Sequence, residues 1–166
     1  MNQKINIIQQ DTDFLLIIDC QNDRFPGGAN PVPNGNEIIE PIMRICPFFK
    51  KIMVAILAFH PSQGKNYCII GTPGVEFPDF QSKFREDAFR VLIIRGASPD
   101  INYPFSSGKA AKIIKKYGAR RVFLCGLPLD TAIKEIALIF KDQGLEVVIF
   151  EDGTCPADKT AGIFAK

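Results

Sequence analysis

Five stretches of this chain carry apolar residues in short runs bounded by turn-forming residues, and four segments between or after them carry apolar residues at helical spacing. Phe14 to Ile18 (FLLII) is apolar without alternation, the pattern of a parallel strand covered on both faces. Ile52 to Leu57, Phe89 to Ile94, Val122 to Cys125 and Glu146 to Phe150 read as four further strands. Between the first two, Asn36 to about Lys50 predicts a helix with Ile38, Ile39, Ile42, Ile45 and Phe49 on one stripe, bent or ended early by Pro47, which has no N–H to donate. Ser107 is the expected N-cap of a helix running to Tyr117, with Gly118 at its C-terminal end. After the fourth strand the chain turns sharply at Gly126-Leu127-Pro128 and enters a helix marked by Ile133, Ile136, Ala137 and Phe140, ending near Gly144; a last helix could begin shortly before Lys166. Strands alternating with helices predict one α/β domain over residues 1–166. Its fold class is three-layer α/β/α, Rossmann-like, with a mostly parallel sheet of about five strands and helices on both faces.

Composition narrows the function classes. With 166 residues, 46% of them hydrophobic and 23% charged, the chain suits a soluble domain with a full core. A net charge of +2 without a block of like charges argues against nucleic acid and membrane surface as partners. No apolar run reaches membrane-spanning length and the amino terminus lacks a signal-peptide core, so the expected compartment is the cytoplasm. Five cysteines, Cys20, Cys46, Cys68, Cys125 and Cys155, follow neither a metal spacing nor a disulfide framework and read as reduced, mostly buried thiols. No repeat, linker or low-complexity tract interrupts the pattern.

In an open α/β sheet, ligands bind where a helix starts just past the carboxyl end of a central strand, because the unpaired N–H groups of the first turn converge there. The stretch RVFLCGLPLDTAIKEIALIF, from Arg121 to Phe140, has that form, which places a candidate site at Gly126 to Ala132. This stretch resembles the nucleophile turn of the isochorismatase-like cysteine hydrolases, the superfamily that includes nicotinamidases, in which a G-[LVI]-A-x-D-x-C pattern puts the attacking cysteine at the helix start. IIDCQNDRFPGGANPVPNG resembles the family's opening motif, IDxQNDF followed by a Pro-Gly-rich loop; HPSQGKNYCIIGTPGVEF resembles its D-W-H-P and H-C-x-x-G-T-P-G-A-E-F segments; and EDGTCPAD resembles its last turn. The resemblance covers most of the chain and implies a strand order of 3-2-1-4-5.

Carried over position by position, the resemblance implies a site with its chemistry removed. Asp19 stands at the general-base aspartate, Arg95 at the triad lysine and Ala132 at the nucleophilic cysteine. Arginine keeps the positive charge but trades a movable pKa for a planar, permanently charged fork, so an Asp19–Arg95 ion pair is expected. Leu127 and Pro128 occupy the turn where the family has a cis peptide and an oxyanion-hole N–H, and proline has no N–H to offer. Of the family's metal ligands only His60 remains; Ala58 and Tyr67 replace the other two, so no catalytic metal and no cofactor are expected. Arg24 replaces the phenylalanine that nicotinamidases hold against the substrate ring. Arg24, Ala58, His60 and Tyr67 are the expected lining of the residual pocket, with the Gly71 to Gly74 turn shaping its wall.

The expected function is therefore that of a family member without amide-hydrolase activity, acting as a binding or partner subunit: a small-molecule ligand in the residual pocket, and a homo- or hetero-oligomer. The competing expectation is a hydrolase of a small amide or related compound with relocated chemistry, using Cys125, Thr131 or a water activated by Asp19. A third is a purely structural role within a hetero-oligomer.

Overall fold

The computed structural model describes residues 8–158. Five strands, β1 (Asp13–Ile18), β2 (Lys51–Leu57), β3 (Phe89–Arg95), β4 (Arg121–Gly126) and β5 (Glu146–Thr154), form one sheet in the order β3-β2-β1-β4-β5. Every neighbouring pair is parallel. Parallel neighbours need crossovers over the sheet faces: α1 (Ile39–Ile45) on one side and α2 (Tyr103–Ser106), α3 (Lys109–Lys116) and α4 (Lys134–Asp142) on the other supply them, except that the β2–β3 connection holds only 3-10 turns. β1, at the centre, shows the consequence most directly. Phe14, Leu16 and Ile18 enter the core shared with α3 and α4, Leu15 and Ile17 enter the core shared with α1, and all five are fully buried. Two buried faces leave no position for a polar residue, which is why the run is unbroken.

Because β1 lies between β2 and β4, the connections on its two sides run outward in opposite directions, and a crevice opens at the carboxyl ends of β1 and β4. The register pairs Ile18 with Gly126, so both strands end level at that crevice. Gly126 has φ of +116°, and a Cβ there would lie 2.0 Å from the Ile18 carbonyl oxygen. Only glycine lets the two backbones approach this closely as the chain leaves the sheet.

Three local expectations need correction. The helix expected from Asn36 to Lys50 is split into a 3-10 turn (Gly35–Ile38), α1, and a second 3-10 turn (Cys46–Phe48). Pro47 supplies no N–H, so the end tightens into the bond from Phe49 N–H to the Cys46 carbonyl. Ser107 does not cap α3. It continues the turn of α2, donating its N–H to Tyr103, and the break comes at Gly108, whose φ of +76° an L-residue would resist. The helix after Pro128 does not start as an α-helix: Leu129–Ile133 forms a π-helical turn that runs into α4. The helix expected near Lys166 lies outside the described residues. Among the described residues, no helix is long and apolar enough to cross a membrane.

The Gly126 contact generates a test of the sheet geometry. Gly126→Ala is expected to lower unfolding free energy by about 3 kcal/mol or more, measured by urea denaturation, because it combines a steric clash with backbone with a disfavoured φ. A loss under about 1 kcal/mol would mean that β1 and β4 are not held this close.

Candidate functional site

Asp19 is the first residue past β1. Its φ of +51° lies in the left-handed region that aspartate tolerates better than most, and its N–H donates to the Ala55 carbonyl of β2, so the carboxylate is fixed at the strand end, 2% exposed. Two strands away in the sheet, Arg95 ends β3 and is also buried. Its Nη1 donates to Asp19 Oδ2, the expected ion pair. The rest of the guanidinium fork is committed to one acceptor: Nε and Nη2 both donate to Asn102 Oδ1, at 3.1 and 2.7 Å. Asn102 in turn donates from Nδ2 to Glu135 Oε2 of α4 at 2.6 Å. A chain of charge-assisted bonds thus ties β1, β3, the loop before α2, and α4 together at one end of the sheet.

Burial pushes the Asp19 carboxyl above its ordinary value of 3.8, and the nearby Arg95 and Arg24 charges offset this only in part. The sequence suggests that an arginine partner keeps this group charged. In the fold, desolvation is the larger influence.

Around this pair lies a cavity of about 260 Å³. Asp19, Arg24, Asn30, Arg95, Thr131 and Glu135 give it its polar character, and Leu57, Tyr67, Ile101, Pro128 and Ala132 its apolar wall. The triad positions Asp19, Arg95 and Ala132 are therefore brought together, with a methyl group where the resemblance places a sulfur. Pro128 lines the same cavity; Leu127 is buried behind it, and the Leu127-Pro128 bond is cis.

Two expected lining residues, Ala58 and His60, are not part of that wall, and the correction has a physical basis. Ala58 is buried beside the sheet with its N–H bonded to the Arg95 carbonyl. His60 is exposed and caps the 3-10 turn Pro61–Gln63: Nδ1 accepts from the Ser62 N–H at 3.2 Å and lies 2.7 Å from Ser62 Oγ. Tyr67 does line the cavity and packs edge-on against Phe59. A methyl group, an imidazole engaged in a local cap and a phenol stacked on a ring do not make a three-ligand site, so the residues here do not fit a catalytic metal. Among the described residues no cluster of His, Cys, Asp and Glu is placed to hold one.

The rest of the opening motif serves as scaffold. Gln21 is fully buried; its amide accepts from the Leu57 N–H at 2.7 Å and donates to the Leu57 and Val75 carbonyls. Asp23 accepts from the N–H groups of Cys68 and Ala29. The Gly71 to Gly74 turn, expected in the pocket wall, instead packs behind this loop, where Pro73 accepts from Asn22 Nδ2 and a Cβ on Gly74 would collide with the Asp23 carboxylate. These bonds hold the loop that delivers Arg24.

No cysteine lines the cavity. Cys125 belongs to the core on the α1 side of the sheet, while Ala132 belongs to the core on the α4 side. Its thiol donates to the Leu16 carbonyl and burial pushes its pKa well up, as for Cys20; Cys46 and Cys68 are pushed up to about 12. Cys20, Cys46, Cys68 and Cys125 form no disulfide. The residues that sequence reasoning missed are Asn102 and Glu135. The only signal was position: Glu135 lies three residues beyond Ala132, about one turn along the helix.

The fold has counterparts among solved structures. The pyrazinamidase of Pyrococcus horikoshii, solved in complex with zinc, is 29% identical over 89% of this chain and 88% of its own, with a TM-score of 0.75. An Acinetobacter baumanii nicotinamidase and pyrazinamidase is 21% identical over 92% of this chain and 88% of its own, TM-score 0.75. An isochorismatase-like hydrolase from Alkaliphilus metalliredigens is 16% identical over 91% and 83%, TM-score 0.71. At these two lower identities the likeness is one of fold. No protein-family model matches the chain, and no curated protein matches it by sequence.

Two outcomes test the ion pair. Arg95→Met leaves Asp19 buried without its partner and is expected to cost about 3–5 kcal/mol of stability by denaturant unfolding; a loss below about 1 kcal/mol would mean that the pair is solvated. The second concerns pH. The folded carboxyl of Asp19 keeps its proton to a higher pH than the unfolded one, so its contribution is full below the ordinary value of 3.8 and is lost as pH rises toward the folded-state pKa. The stability of the wild type relative to Asp19→Asn should therefore fall as pH is raised from about 4; a difference that grows with pH would show that the arginines outweigh burial.

Proposed function

On the isochorismatase-like hydrolase fold that this chain has, in the neighbourhood of the nicotinamidases and pyrazinamidases, we propose that the protein has lost amide hydrolysis and uses the cavity at the end of β1 and β4 for binding. The observation that carries this reading is the content of the cavity around Asp19: Ala132 faces it from the helix start, no thiol reaches it, and the guanidinium of Arg95 occupies one carboxylate oxygen of Asp19. Nucleophilic catalysis needs a nucleophile within hydrogen-bond reach of its base, and a methyl group is not one. Pro128 removes a backbone donor from the turn where an oxyanion would be held, a loss that typically costs about 10² to 10³ in rate. The positions at which the resemblance implies metal ligands support the same reading, since Ala58 has no donor, Tyr67 packs on Phe59 and His60 is engaged in a local cap.

One observation favours the second reading, a hydrolase with relocated chemistry. Asp19 Oδ1 makes no hydrogen bond, and burial raises the pKa of its carboxyl toward the range of a general base. A water held there, with Thr131 at the cavity edge, is the arrangement such an enzyme would use.

Ammonia release from nicotinamide and pyrazinamide separates the two. The wild-type protein is expected to give no release above the uncatalysed background, and Ala132→Cys none either, because the thiol restores neither the missing N–H donor nor a free base. The triple variant Ala132→Cys, Pro128→Ala, Arg95→Lys is the comparison. Turnover by the wild type or by the single variant on the order of 1 per second or faster would establish an intact catalytic pocket and overturn the proposal.

A further inference from the structure

The buried charges of the cavity wall do not balance, although the exposed Glu135 carboxylate brings the whole lining to two guanidinium groups and two carboxylates. Two guanidinium groups, Arg24 at 8% exposure and Arg95 at 3%, share a single buried carboxylate, Asp19. Glu135 is exposed and is engaged by Asn102. Every nitrogen of the Arg95 guanidinium has a partner, Nη1 in Asp19 and Nε and Nη2 in Asn102. Arg24 differs. It makes no ion pair among the described residues; Nη1 donates to the Asn30 carbonyl at 3.0 Å, and Nε is buried with no acceptor.

Buried polar groups are nearly always bonded, and buried charges nearly always paired, because leaving either unmet carries its full desolvation cost. Here a donor and an acceptor are both unmet, on two residues of the same cavity wall: Arg24 Nε and Asp19 Oδ1. Whether Asp19 is ionised or protonated, the sum over the three buried groups is positive. The Arg24 guanidinium lines the cavity with one hydrogen bond, to the Asn30 carbonyl, and a carboxylate is the anion whose two oxygens match a guanidinium edge. The remaining walls, Leu57, Tyr67, Ile101 and Ala132, are apolar or aromatic and suit a compact hydrocarbon body. A volume of about 260 Å³ corresponds to about nine water volumes, which limits the occupant to a small molecule.

We propose that the cavity binds a small carboxylic acid that also carries an O–H or N–H donor, the carboxylate seated on Arg24 and the donor on Asp19 Oδ1. This rests on the non-catalytic reading of the same site, and it specifies the ligand class. The substitution that places arginine at position 24 thereby converts a site with one strong charge pair into one that selects anions over neutral amides.

Isothermal titration calorimetry of the full chain with benzoate, 3-hydroxybenzoate and lactate, each beside its amide, tests it. The acids are expected to bind about tenfold or more tightly than their amides, and 3-hydroxybenzoate more tightly than benzoate. Arg24→Gln is expected to abolish the preference for acid over amide, and Arg24→Lys to keep part of it. Should Arg24→Gln fail to fold, the acid-to-amide ratio of the wild type decides alone. Amides that bind as well as their acids, or a panel of acids without measurable binding, would overturn the proposal while leaving the non-catalytic reading standing. Benzoate equal to 3-hydroxybenzoate would overturn the assignment of Asp19 as acceptor. Ammonia released from the amides during titration would instead overturn the non-catalytic reading.

Discussion

The contact between the Asp19 carboxylate and the Arg95 guanidinium joins the ends of two strands that are not neighbours, β1 and β3, across the end of β2. Its energetic meaning is asymmetric. Taking both charges out of water costs several kcal/mol per ion, on the order of what their attraction returns, so the pair is weak evidence of added stability. Once the fold has buried both, however, each depends on the other, and any arrangement that separates them leaves a bare charge in the interior. The bonds from Arg95 to Asn102 and from Asn102 to Glu135 extend that dependence to α4, the helix on which Ala132 sits just upstream.

Residues that resemble a catalytic motif thus divide into two physical roles. Gln21 and Asp23 point their side chains at backbone groups of Leu57, Val75, Cys68 and Ala29, and would be needed by any sequence that uses this loop, active or not. Asp19, Arg24, Tyr67, Arg95, Pro128 and Ala132 face the cavity, and all but Asp19 are positions where the residue differs from the pattern of the family the sequence resembles. Around Ala132 the core is closed, with Phe14, Phe105 and Phe140 fully buried on the same side of the sheet.

The amino-acid pattern alone determined the architecture, since a parallel sheet covered on both faces requires unbroken apolar runs, and Phe14 to Ile18 and Ile52 to Leu57 could be little else. Which residues meet at the crevice came from the resemblance, which implied the strand order. Strand ends converge by topology, so Asp19, Arg95 and Ala132 had to approach one another once the strand order was fixed. Tertiary structure decided what depends on distances that no spacing encodes: that His60 turns outward to cap its own turn, that Ala58 lies outside the cavity wall, that Cys125 and Ala132 fall on opposite faces of the sheet, and that Asn102 and Glu135 complete the network. Helix starts escaped prediction for a related reason. Gly108 in place of Ser107, and the π-helical turn at Leu129–Ile133, are set by how the preceding turn must aim the chain. Protonation of Asp19 was likewise undecided by sequence, which shows an arginine as its partner but not the depth of burial that opposes it. Pattern fixes periodicity and order along the chain; desolvation and hydrogen-bond closure depend on all neighbours at once, and only the folded chain supplies those.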